Sequence, residues 1–267
     1  MHLVILTGAS RGLGRALALQ LAAKGVLLLT LARRPDAALP AEVGARGADI
    51  EQWALDLAHD TGAAARLEAW LHRQDGDRWQ SATLINNAGL LGSVGPLERM
   101  DSDALAAVLR VNLEAPMALT AAFLRATAAW PGDRKVLNIS SGAAHNPIAG
   151  WAAYCASKAG LDHFCRVVAR EQGALPKGAK IVSLAPGVVE TGMQVALRAT
   201  DGSLFPDRAR FVELHEKGQL ASPEAAAARI ATFLARPDFG TQPVADVRNA
   251  VADFFEGRHR FVVQQPA

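Results

Sequence analysis

Short apolar runs alternate along the chain with longer stretches in which apolar residues return at helical spacing. The runs predict strands at 3–7, 26–32, 50–55, 82–86, 135–140 and 180–185. Between them the pattern predicts helices at 12–24, where Leu13, Ala16, Leu17 and Leu21 share a face, and at 61–71, 101–129 and 150–172. Residues 35–47 read as a loop with a short helix. Asp101 is a good N-cap for its helix, and Pro116 stands where it can kink it. Ser222-Pro223-Glu224 opens one more helix, running to residue 234. Val26-Leu27-Leu28-Leu29, apolar at consecutive positions, suits a strand buried on both faces. The alternation predicts an α/β fold: a doubly wound parallel sheet with helices on both faces, joined by right-handed crossovers.

Two stretches interrupt the pattern. Residues 191–221 are polar and irregular, as expected of a lid over a binding site. The tail from Pro237 is the hardest part to place, and 260–263 reads as a last edge strand. No repeat or linker divides the chain, so residues 1–267 are expected to form one domain with a substrate lid at 191–221.

Composition removes several classes of function. There are 28 Lys+Arg against 26 Asp+Glu, a net charge of +2, which gives no electrostatic case for nucleic acid or an anionic membrane as partner. No uninterrupted apolar run reaches the roughly 18 residues of a membrane span. The first strand begins at Leu3, leaving no room for a signal peptide, and the expected setting is the cytoplasm. Cys155 and Cys165 cannot build a disulfide framework, and His163 and Cys165 lack the company of a metal site, so no metal is expected.

The chemistry begins at Thr7-Gly8-Ala9-Ser10-Arg11-Gly12-Leu13-Gly14, between the first strand and the first helix. Glycines there let the backbone turn tightly and approach a phosphate, while the helix N-terminus offers free N–H groups. The spacing, G-x-x-x-G-x-G, differs from the dinucleotide fingerprint G-x-G-x-x-G, and a glycine-rich strand–helix turn is the plainer reading. The second strand ends at Arg33-Arg34, with no carboxylate for ribose hydroxyls. Arg33 suits the 2′-phosphate of NADP, with Arg34 and Arg11 in support; a solvated basic corner is the alternative. Asp56-Leu57 follows the third strand, where the carboxylate can accept from an adenine amine or cap a helix.

Tyr154 is the one tyrosine in the chain, and Lys158 follows it by one helical turn. An ammonium beside a phenol favours the phenolate and draws its pKa toward neutrality, the range useful for proton transfer. Alone, such a pair also fits a helix surface.

Together these motifs resemble the short-chain dehydrogenases/reductases over residues 3–235. The resemblance rests on Thr7 to Gly14, Asn86-Asn87-Ala88-Gly89, Asn112, Ser140-Ser141, Tyr154 to Lys158 and Pro186-Gly187, in the family's order. It implies a Rossmann-like fold and an NADP(H) cofactor. It implies that Tyr154 is the general acid of carbonyl reduction, that Lys158 depresses its pKa and holds the nicotinamide ribose, and that Ser141 binds the substrate carbonyl. Asn112 is implied to hold a relay water; its plainer role is bending the helix. Asn87, Ala88 and Gly89 are placed beside the cofactor ribose, and Pro186, Gly187, Val189 and Thr191 beside the nicotinamide. The 186–194 and 211–224 segments look like the branch of sepiapterin reductases and bacterial benzil reductases.

The expected protein is an NADPH-dependent reductase of ketones, vicinal dicarbonyls included, acting on a small molecule as a homodimer or homotetramer. The alternatives are a non-catalytic NADP-binding sensor and an NAD-dependent alcohol dehydrogenase. His145, four residues after Ser141, is either a substrate contact or a part-exposed loop histidine. Trp151, Met193, Leu204 and Phe205 could wall the cleft or anchor the lid.

Overall fold

The computed structural model describes residues 1–249. Seven strands form one parallel sheet in the order β3-β2-β1-β4-β5-β6-β7. They are β1 (His2–Thr7), β2 (Val26–Ala32), β3 (Asp49–Ala54), β4 (Ser81–Asn86), β5 (Asp133–Ile139), β6 (Lys180–Ala185) and β7 (Val244–Asp246). The order reverses at β1, which pairs β2 on one side and β4 on the other. In a doubly wound sheet this reversal opens a crevice at the carboxyl ends of the strands.

Side chains of each strand alternate between two cores. Val4 and Leu6 of β1 face the core made by α1 (Gly12–Leu21), the short α2 (Leu39–Gly44) and α9 (Pro223–Ala235), with Leu17, Ile230 and Phe233 inside it. Leu3 and Ile5 face the other, built with α3 (Ala63–His72), α5 (Ala115–Ala126) and α6 (Ala152–Gly173), around Leu67, Phe123 and Cys165. Burial on both faces explains why the strands read as continuous apolar runs.

Four expectations change. First, α1 ends at Leu21 rather than residue 24. Second, the helix expected at 101–129 is three pieces: α4 (Ser102–Leu109), a π turn (Arg110–Glu114) and α5. Asp101 does cap it, accepting from the Ala104 N–H at 2.9 Å. Pro116 lies in the first turn of α5, where its missing N–H is tolerated, so the wide turn before it is the break. Taken as one helix, Ser102–Ala126 is apolar enough to cross a membrane by composition, an 18-residue window of it reaching a mean hydropathy of 1.3. Its Leu119 and Phe123 are spent on the sheet instead.

Third, 191–221 is not irregular. It folds into α7 (Gly192–Ala199) and α8 (Arg208–Glu216). Three of its apolar residues turn inward: Leu197, Phe205 and Phe211 join Trp151 and Tyr154 in a third cluster, while Val195 stays exposed. Backbone bonds between Val188, Glu190 and Ala221 clamp the two ends of the segment together. Fourth, the last described strand is β7, whose three residues are too few to show a period. The edge strand expected at 260–263 lies outside the described residues.

Phe123 has no exposed surface and packs under the sheet. Phe123→Ala is expected to destabilise the protein by about 3–5 kcal/mol in urea unfolding.

Candidate active site

A cavity of about 1120 Å³ occupies the crevice at the β1/β4 reversal and runs on beneath α7 and α8. At one end lies the glycine loop. Gly8 and Gly12 adopt φ of +73° and +53°, which side chains rarely allow. A Cβ on Gly14 would collide with the Gly8 carbonyl oxygen and Asn87 Nδ2, and one on Gly8 would lie 2.9 Å from Ala88 Cα. The Thr7 hydroxyl accepts from the backbone N–H of both Asn87 and Ala88 at 3.0 Å, and Asn87 Nδ2 donates to the Thr7 carbonyl at 3.0 Å. The ends of β1 and β4 are thus fastened together. At the N-terminus of α1 no side chain caps the helix and its first turn carries no acid, so its N–H groups remain free to meet an anion.

Ser10, Arg11, Leu13, Arg33 and Arg34 border this end. Among the described residues Arg11, Arg33 and Arg34 make no ion pair. Arg15 differs: Asp36 takes its Nε at 2.7 Å and Glu42 its other end. Asp36 also borders the cavity, but the Arg15 guanidinium holds its carboxyl below the usual range and occupies it. Asp56 and Leu57 border the cavity too, and Asp56 Oδ1 accepts from the Ala58 N–H at 3.0 Å, closing a turn rather than capping α3, whose N-cap is Gly62.

At the other end, Tyr154 and Lys158 project from α6. Tyr154 is buried edge-on against Trp151, ring centroids 5.5 Å apart. Lys158 Nζ lies 5.8 Å from the phenol ring centroid and donates to the Ile139 carbonyl at 2.8 Å. Burial pushes the ammonium down to about 8. Burial also pushes the phenol up, and a hydrogen bond with Ser141 works against it. The expected lowering by Lys158 is not the dominant influence on Tyr154; removal of the phenol from water is.

Ser141 borders the cavity and caps the turn 142–144 by accepting from the Ala143 N–H at 3.2 Å. Asn112 does not border it. Fully buried in the π turn, it exchanges hydrogen bonds with the Leu90 backbone at 2.7 and 2.8 Å and donates to Ser157 Oγ at 3.1 Å. Its observed work is to tie the π turn to the end of β4 and to α6. Gly89 borders the cavity; a Cβ there would sit 3.6 Å from Asn112 Oδ1 and 4.0 Å from Lys158 Nζ. Of the residues placed beside the nicotinamide, Gly187, Val189 and Thr191 border the cavity and Pro186 does not. Thr191 faces the glycine loop, its Cγ2 3.4 Å from where a Gly12 Cβ would lie.

His145 is absent from the cavity wall and reaches Asp162 instead, at 3.2 Å. Ser140 also bonds Asp162, at 2.6 Å. Trp151 and Met193 do wall the cavity, while Phe205 stacks behind Trp151 at 5.4 Å. The sequence reading missed Gln194, Arg210 and the Asp246–Arg248 ion pair, all on the cavity wall. The last pair comes from the tail that carried no pattern. Gln194 Oε1 and Trp151 Nε1 are buried without hydrogen-bond partners, and both residues stand at this end.

The sequence model described as short chain dehydrogenase matches residues 2–202. The chain belongs to the short-chain dehydrogenase/reductase family. A benzil reductase ((S)-benzoin forming) of Bacillus cereus is 37% identical over 90% of this chain and 96% of its own. A sepiapterin reductase of Meriones unguiculatus is also 37% identical, over 88% and 92%. A metagenomic short-chain oxidoreductase solved in complex with NADP superimposes with a TM-score of 0.69, at 28% identity over 92% of this chain and 94% of its own. The chain is an oxidoreductase of this family, in its benzil and sepiapterin reductase-like branch.

The Lys158 shift predicts how stability depends on pH. Its folded value, about 8, lies below the ordinary 10.5. The unfolded chain therefore binds this proton more tightly, so burying Lys158 is costly below about pH 8 and the cost fades as pH rises toward 10.5. Wild type should gain about 2 kcal/mol relative to Lys158→Met between neutral pH and pH 10, read from urea unfolding at both pH values.

Proposed function

We propose that the protein is an NADPH-dependent carbonyl reductase in which Tyr154 protonates the carbonyl oxygen. One observation carries this reading: a single cavity joins three arginines without ion pairs to a buried tyrosine–lysine pair. The site fits the cofactor, because the glycine loop leaves space that a Cβ would fill and the α1 N-terminus offers unbonded N–H groups. Arg33, with Arg34 and Arg11, would hold a 2′-phosphate; Asp56 and Leu57 flank the adenine; Asn87, Ala88 and Gly89 line the ribose; Gly187, Val189 and Thr191 border the nicotinamide. Bound there, NADPH supplies the hydride.

The remaining work belongs to the protein's own groups. Ser141 Oγ donates to the carbonyl oxygen and polarises it. Tyr154 Oη gives its proton to that oxygen as negative charge develops. A buried phenol with a raised pKa stays protonated until needed, and the Lys158 ammonium stabilises the phenolate it becomes. Trp151, Phe211, Met193 and Leu197 exclude water and suit an apolar ketone. The name of the benzil reductase relative points to vicinal dicarbonyls, benzil-like compounds first. Leu109, Met117 and Val167, left exposed on α4, α5 and α6, suit a homodimer or homotetramer face, and two free cysteines suit the cytoplasm.

The test is consumption of reduced nicotinamide, followed by absorbance, with benzil, sepiapterin, isatin and simple ketones. Tyr154→Phe should lower turnover by about 10²–10⁴-fold while NADPH still binds, measured by fluorescence titration. Binding without turnover of any carbonyl by wild type would favour a sensor. Arg33→Ala should weaken NADPH by about tenfold or more and leave NADH unaffected. Equal use of both nucleotides by wild type would remove the case for Arg33.

A further inference from the structure

Asp162 lies one turn beyond Lys158 on α6, its carboxylate among the most buried in the described chain, with 2% of its side chain exposed. Its Oδ1 accepts from Ser140 Oγ and Ser183 Oγ, each at 2.6 Å, and its Oδ2 lies 3.2 Å from His145 Nε2. Its contacts thus come from β5's end, from β6 and from the turn after Ser141. Burying a carboxylate is costly unless its lone pairs are met, and the two serine hydroxyls meet those of Oδ1.

We propose that Asp162 is a positioning residue of this site: it is the buried counter-ion of the Lys158 ammonium, held in place by Ser140, Ser183 and His145. The inference rests on the reading of Lys158 as the group that stabilises the Tyr154 phenolate. Lys158 has no carboxylate in salt-bridge contact among the described residues, and its Nζ bonds only a carbonyl. Burial lowers it to about 8, and Asp162 is the charge that holds it up. Positions four apart share a helix face, and the two side chains bond consecutive residues at the end of β5, Lys158 the Ile139 carbonyl and Asp162 the Ser140 hydroxyl, in a medium of low dielectric.

The other titratable groups around Asp162 do not compete. Cys165, on the next turn, is kept neutral because burial pushes its thiol up to about 12. Asn138 of β5 donates to Cys165 Sγ at 3.0 Å and carries no charge. On β7, packed against α6, Asp246 is bonded by Arg248. Asp103 of α4 and Arg110 and Glu114 of the π turn are exposed. Tyr154 stands on the far side of Lys158.

The experiment follows the Lys158 ammonium by NMR of lysine-labelled protein, its resonance assigned with Lys158→Met, alongside the pH profile of kcat/KM for carbonyl reduction. Asp162→Asn should move the Lys158 titration downward by about one unit or more. The alkaline limb of kcat/KM should move with it, giving about a tenfold loss at pH 8 and little at pH 6. His145→Arg, at a half-exposed position that folding tolerates, places a fixed cation on Oδ2 and should move both in the same direction by less. His145→Gln keeps an N–H donor and should leave both in place. An unmoved Lys158 titration in Asp162→Asn overturns the proposal; if that variant does not fold, an unmoved titration in His145→Arg does so. A moved titration with an unmoved alkaline limb overturns the link to catalysis. The NMR titration needs no substrate, so absence of turnover in wild type would count against the reductase reading and not against the ion pair.

Discussion

A positive charge buried beside a phenol is the constraint around which this site is built. Lys158 is 4% exposed, and the fold tolerates its ammonium through three neighbours: the Ile139 carbonyl, the Tyr154 ring and the Asp162 charge. They come from three places along the chain. Ile139 ends β5, Tyr154 is one turn before Lys158 and Asp162 one turn after. The helix supplies spacing and the strand supplies an acceptor, so α6 must lie at one height on β5. The buried polar contacts that register α6 on the sheet do this. Asn86 donates to Asn138 at 2.8 Å, Asn138 to Cys165 at 3.0 Å, and Ser140 and Ser183 both reach Asp162. In an otherwise apolar layer, directional bonds fix a register that hydrophobic contact alone would leave free to slide.

The same logic holds at the other end of the crevice. The glycine loop is tight because the residues after β4 press against it, and Thr7 and Asn87 bond the two segments edge to edge. The glycine turn is thus a joint between β1 and β4, and its glycines answer to packing. A loop that departs from the dinucleotide fingerprint still brings the backbone and the N–H groups at the start of α1 to the cavity, which is what the proposed cofactor reading requires of it.

What the sequence made legible follows the range over which each signal acts. Strands buried on both faces announce themselves locally, and six of the seven were placed within a residue or two. Helical spacing puts Tyr154 and Lys158 on one face, but that pair alone also fits a helix surface, and it was legible as a site only together with the glycine loop and the other motifs of the family. The π turn was not, since Arg110 to Glu114 looks helical at every position and the turn answers to Asn112 meeting the Leu90 backbone, a contact 22 residues away. Helices α7 and α8 were hidden for a related reason. Their outward faces are mostly polar, Val195 excepted, and their inward anchors, Leu197 and Phe211, become a pattern only once Trp151 and Phe205 stand opposite. His145 looked equally like a substrate contact and a loop residue because nothing near it in sequence reveals Asp162, which arrives on the next helix.

The lid's construction bears on how the cavity divides its labour. Its aromatic stack, Phe205 on Trp151 with Phe211 beside both, is anchored to α6 through Trp151, the residue that also packs edge-on against Tyr154. One side chain is therefore wall, hinge point and neighbour to the proton donor. A lid fastened this way keeps the phenol dry from behind while the cavity in front stays open to a ligand. The polar atoms left without partners, Trp151 Nε1 and Gln194 Oε1, lie in this same aromatic region. The two arginines without ion pairs beside Arg11 stand at the opposite end. The cavity is thus graded along its length, cationic where a phosphate belongs and apolar with isolated hydrogen-bonding atoms where a carbonyl compound belongs, and the buried lysine sits where the two regions meet.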